Sequence, residues 1–99
     1  MTKEELDKKI AELQHLEFVE CSLKDKTMLI AVGYGEYSPS TNWQQAGELV
    51  EKYKVELFNH IEDGSWSAYA RGQTVGEGGR ADTPQRAICL AVLALEGEK

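Results

Sequence analysis

The sequence predicts an α+β protein in the order αββαββα, with one four-stranded antiparallel sheet built from two hairpins and covered by helices. Three observations carry this. The spacing of apolar residues switches from about 3.6 to 2 and back, twice along the chain. The two strand pairs are joined by short polar turns, which suit hairpins and not parallel crossovers. The segment from Ala87 to Leu95 is apolar nearly all round, as in a helix covered on more than one side.

Thr2 and Glu5 stand at capping-box spacing, and Leu6, Ile10 and Leu13 recur on one face, which predicts a helix from about Thr2 to Gln14. Lys8, Lys9 and Glu12 fall on its solvated side. From Leu16 to Gly33 the period becomes two. Phe18, Glu20 and Ser22 oppose Val19, Cys21 and Leu23, the polar Lys24-Asp25-Lys26 makes a turn, and Thr27 to Val32 returns. Met28-Leu29-Ile30-Ala31-Val32 is too apolar for an edge, so it belongs in the centre of the sheet.

Gly33-Tyr34-Gly35-Glu36-Tyr37-Ser38-Pro39 reads as a loop, because glycines break the strand and Pro39 biases Ser38 away from helical angles. Ser40 or Thr41 caps the next helix, Thr41 and Gln44 being at capping-box spacing. Its buried stripe is Trp43, Ala46, Gly47, Val50 and Tyr53. A second hairpin follows, Lys54 to Ile61 and Ser65 to Arg71, around Glu62-Asp63-Gly64. Val55, Leu57 and Asn59 share one face of its first strand, and Trp66, Ala68 and Ala70 one face of its second. Residues 72–82 hold no hydrophobic period and many breakers, and read as a flexible Gly-rich loop. Thr83 then caps a helix that Pro84 opens.

Three motifs occur in order along these elements: Tyr37-Ser38-Pro39-Ser40-Thr41-Asn42-Trp43, Gly64-Ser65-Trp66-Ser67-Ala68, and Gly79-Arg80-Ala81-Asp82-Thr83-Pro84 leading into Ala87-Ile88-Cys89-Leu90-Ala91. This order resembles the phage and prophage αβα-sandwich domain family, small phage proteins similar in pattern to NinX-type proteins. The resemblance implies viral origin and a sandwich with helices on both faces of the sheet.

The 99 residues suit a single domain, 1–99, of about 13 Å radius of gyration. A formal charge of −6, from 17 acidic and 11 basic residues, disfavours direct binding to nucleic acid or anionic lipid. No apolar run approaches the length of a membrane span, and the polar start of the chain is unlike a signal peptide, so the expected location is the cytoplasm of the bacterial host. Cys21 and Cys89 lack redox or zinc spacing and are expected as reduced thiols.

No catalytic constellation stands out. His15 and His60 have no second ligand at metal spacing, the serines at 38, 40, 65 and 67 suit local hydrogen bonding, and no cofactor or metal is expected. An enzyme or small-molecule-binding reading needs His60, Asp63 and Arg71 to converge. The Gly-rich loop before the Thr83 helix invites an anion held by Arg80 and Arg86, against its reading as a connector. Trp43 and Trp66 fit core positions. Tyr34 and Tyr37 lie in a loop, either as interface aromatics or folded back over the sheet edge, and with Glu36 they are the main candidate binding residues. The leading function is a phage accessory protein that binds a protein partner of phage or host without catalysis, as a monomer or homodimer. The alternative is an inhibitor of a host defence system, with an acidic DNA mimic as one form of it, built on Glu17, Glu20, Glu48, Glu51, Glu56, Glu62 and Asp63, although Lys24, Lys26, Lys52 and Lys54 interrupt that charge.

Overall fold

Thr2 caps the first helix: its Oγ1 accepts from the Glu5 amide at 3.2 Å and donates to Glu5 Oε1 at 3.0 Å, opening α1, Lys3–Leu13. The computed structural model describes residues 2–24, 26–74 and 76–97. Asp25 of the first turn, Val75 of the Gly-rich segment, and Met1, Glu98 and Lys99 lie outside the described residues. Leu6, Ile10 and Ala11 form the buried stripe of α1, joined by the charged Asp7. The helix stops at His15, whose φ of 58° is left-handed.

The first sheet has the order β1-β2-β3, with β1 Phe18–Leu23, β2 Lys26–Ala31 and β3 Gly35–Glu36. The apolar second strand is central, as its composition requires. The third strand stands where a loop is expected. Gly33 and Gly35, with φ of 89° and 72°, fold the chain back tightly enough for Glu36 to pair with Ile30.

The second helix, α2, Trp43–Tyr53, is capped by Asn42 and not by Thr41. Asn42 Oδ1 accepts from the Gln45 amide at 3.0 Å. The inward face is therefore Gln45, Ala46 and Leu49, and Trp43 at the first helical position is 55% exposed rather than in the core. Lys54 ends the helix in a left-handed conformation, which leaves Glu56 to open the next strand.

The second sheet has the order β4-β5-β6, with β4 Glu56–Asn59, β5 Trp66–Tyr69 and β6 Gly79–Ala81. Val55, Ala68 and Ala70 are buried, and Leu57 and Trp66 pack against the core from the same face. β6 lies inside the stretch that reads as a Gly-rich connector. Its glycines permit close packing: a Cβ on Gly78 would collide with the Ala68 carbonyl oxygen, and one on Gly79 with the Ala87 carbonyl oxygen and the Ala91 amide. The last helix, α3, Pro84–Val92, is capped by Thr83, whose Oγ1 accepts from the Arg86 amide at 3.3 Å, and it runs on into a π-helical turn, Leu93–Gly97. Ala87, Ile88, Cys89, Ala91, Val92 and Leu93 are buried, while Leu90 and Leu95 are half-buried against the core.

The expected single four-stranded sheet is thus replaced by two three-stranded antiparallel sheets. Each hairpin acquires a local third strand, β3 on β2 and β6 on β5, so the second strand of each hairpin is paired on both sides within its own sheet. The sheets rest on different helices: β2 on α1, and β5 and β6 on α3, which also packs against α1 and α2. The radius of gyration, 13.3 Å, matches a compact chain of this length.

The glycine contacts separate two substitutions. Gly79→Ala is expected to destabilise by about 1–3 kcal/mol through overpacking against α3. Gly47→Ala, within α2 and with open space around its Cβ, is expected to stabilise by roughly 0.5–1 kcal/mol. Denaturant unfolding of both variants measures the contrast.

Candidate functional site

The connection from β3 to α2 is held by two buried polar side chains. Asp7 Oδ1 accepts from the Ser40 amide at 2.9 Å, while Asp7 Oδ2 meets Lys3 Nζ at 3.1 Å. Gln45 Oε1 accepts from the Ser38 amide at 2.7 Å, and its Nε2 donates to the Glu36 carbonyl at 2.9 Å. Pro39 and Ser40 are fully buried between these anchors, and Ser40 Oγ has no hydrogen-bond partner among the described residues. The spacing of α1 carried a signal for Asp7, since positions 7, 10, 11 and 14 share a side of the helix, but a carboxylate there reads as solvated when no partner is in view.

This anchoring divides the two loop tyrosines. The Tyr37 amide donates to the Leu29 carbonyl at 2.7 Å, and the side chain is 3% exposed, so it is a core residue and not an exposed contact. Tyr34 remains exposed, packed edge-on against Tyr37 with ring centroids 4.9 Å apart. Its hydroxyl donates to Glu48 Oε1 at 2.9 Å. That bond holds the Tyr34 proton and raises its pKa, while burial raises that of Tyr37 well above the usual phenol range.

Tyr37 and Glu36 line a cleft of about 250 Å³ between α1 and the first sheet. Its wall holds five carboxylates, on Glu4, Glu5, Asp7, Glu20 and Glu36, against the two ammonium groups of Lys3 and Lys8. Lys8 pairs with Glu20 at 3.1 Å, which raises the Lys8 pKa. Leu29 and Tyr37 supply apolar surface. The cleft therefore suits a group with an apolar stem and a positive head.

Arg80 and Arg86 are not part of this surface. Arg80 lies on β6, where it donates from Nη2 to Asp63 Oδ2 at 2.9 Å and from Nε to Ser65 Oγ at 3.2 Å. Arg86 lies in the first turn of α3 and acts electrostatically on buried Cys89. His60 and Asp63 lie at the turn end of the β4–β5 hairpin, while Arg71 follows the opposite end, beyond the Glu56–Tyr69 pair, so the register separates Arg71 from the other two. Among the described residues no helix is long and apolar enough to cross a membrane.

The family model for "Bacteriophage P22, NinX" matches residues 1–95. The chain belongs to that family. Neither the comparison with curated proteins nor that with solved structures gives a match. The NinX match extends across both sheets and all three helices, so the tyrosine edge, the acidic cleft and the Arg80 strand all fall within it.

The two cysteines of this NinX-family chain differ in environment. Burial pushes the Cys89 thiol far above its ordinary pKa; Asp7 adds to that and Arg86 opposes it. Cys21, on β1, is half-buried. Because the thiolate is the nucleophile, iodoacetamide at neutral pH is expected to alkylate Cys21 in the folded protein and Cys89 only on unfolding. Peptide mass mapping with and without denaturant checks it.

Proposed function

We propose that this NinX-family chain is a phage accessory protein that acts in the cytoplasm of the bacterial host by binding a protein partner at the tyrosine edge and its acidic cleft. The observation that carries the reading is the preformed Tyr34–Tyr37 pair. Tyr34 is exposed, yet its ring rests on buried Tyr37 and its hydroxyl is fixed by Glu48. An aromatic held in place before binding loses little conformational freedom when a partner covers it. The neighbouring cleft, with three more carboxylates than ammonium groups, favours a partner segment bearing lysine or arginine. The 72–82 segment contributes Gly76, Gly78, Gly79 and Arg80 to another pocket, so the binding surface is assigned to Tyr34, Glu36 and the α1 cleft.

Affinity capture from host and phage-infected lysates tests the reading, with the parent chain run beside a Tyr34→Ala/Glu36→Lys variant that melts at the same temperature. The expected outcome is a protein retained by the parent, released at raised salt, and bound at least about 30-fold more weakly by the variant, as loss of a central aromatic contact produces. Equal recovery by both chains contradicts the assignment.

A further inference from the structure

The outer face of the second sheet carries a pocket of different character. His60 Nε2 lies 2.6 Å from Ser67 Oγ, and Ser67, only 5% exposed, stands directly opposite Arg80 in the β5–β6 ladder. Residues directly opposite in an antiparallel pair project on the same face, so Arg80 and Ser67 are neighbours there. Together with Tyr69, Gly76 and Gly78 they line a pocket of about 370 Å³. Four other clefts of the protein each carry at least one glutamate in the wall, whereas among the described residues lining this one there is no carboxylate, in a chain of formal charge −6.

The donors in that wall are incompletely used. The amide of Gly78 donates to no acceptor among the described residues, and Arg80 uses Nε and Nη2 on Ser65 and Asp63 while Nη1 meets no acceptor there. Gly78 cannot be replaced by a larger residue without striking the Ala68 carbonyl and the Tyr69 ring, so this backbone is laid close over β5. A backbone amide in a glycine turn, a guanidinium and the Ser67 hydroxyl, left free to donate when its oxygen accepts from His60 Nε2–H, with no acid among the described lining residues, form a donor set that recognises an oxyanion.

We infer that this pocket binds a small oxyanion, phosphate or the phosphate group of a small monoester, through Arg80, the Ser67 hydroxyl that His60 orients, and the Gly78 amide. Asp63 lies outside the pocket wall and competes for the Arg80 guanidinium. It sets the affinity by holding Arg80 partly neutralised. The site is separate from the tyrosine edge and does not depend on the binding function proposed for it.

The test is a titration of the full chain with inorganic phosphate and with phenyl phosphate, followed by amide NMR shifts, using phenol as the uncharged control. Saturable shifts confined to the amides of residues 76–80 and to Ser67 are expected for the two anions and not for phenol. Tighter binding of phenyl phosphate assigns the rest of the pocket to an organic group, and equal binding assigns it to the free ion; either result supports the site. Arg80→Gln is expected to weaken binding about tenfold or more. Asp63→Asn, which frees Arg80, is expected to tighten it, a change that loss of a purely structural ion pair does not produce. Non-saturable shifts, shifts spread over the surface, or unchanged or weakened affinity in Asp63→Asn would overturn the inference.

Discussion

One buried carboxylate determines how the first sheet joins the helices. Asp7 enters the core on α1 and takes the Ser40 amide, a donor that lies just ahead of α2 and has no intrahelical acceptor. A buried amide without a partner costs about 1–3 kcal/mol, and an ionised acceptor is the stronger partner. Gln45 takes the Ser38 amide from the opposite side, so residues 38–40 are sewn between two helices before α2 begins. Pro39 has no amide to satisfy and fits between the two anchors without a third.

The rest of the first sheet's functional surface follows from that path. With 38–40 fixed inward, Tyr37 is drawn beneath the sheet edge and Tyr34 is left on the outside of the same turn, supported by it. The surface is then divided electrostatically. Acids crowd the cleft beside α1, while the outer face of the second sheet has a pocket walled by glycine, histidine, serine, tyrosine and arginine. In the second sheet Asp63 is held well below the usual carboxylate range, down to about 2, by the Ser65 amide and hydroxyl and by Arg80. Since this folded value is depressed, the pairing is fully present above the unfolded carboxylate range and is lost as pH falls toward 2.

Much of the secondary structure was legible because it depends on local chemistry. Thr2 and Thr83 cap where their spacing places them, Pro84 opens α3, and Met28 to Ala31 sit in a central strand because they are too apolar for an edge. What could not be read depends on contacts distant in sequence. β3 and β6 are two and three residues long, too short to show a period, and exist because a neighbouring strand offers its edge. Gly79 looks like a flexible breaker until α3 is seen packed against its α-carbon. Ala46, Val50 and Tyr53 of the expected α2 stripe do pack on the core, but with Asn42 as the cap Trp43 stands at the first helical position, at the rim of that face, where its indole is exposed. Tyr34 and Glu36 were visible as candidates from the glycine-broken turn, whereas the pairing of His60 with Ser67 is set by the hairpin register and carries no motif.

Native-state hydrogen exchange at the Ser40 amide tests the dependence on Asp7 most directly. In the parent chain this amide is expected to exchange as slowly as the core amides of α1, through global unfolding, and in Asp7→Ala much faster through local opening while the α3 core stays protected. Rapid exchange at Ser40 in the parent, or protection unchanged by Asp7→Ala, would contradict it.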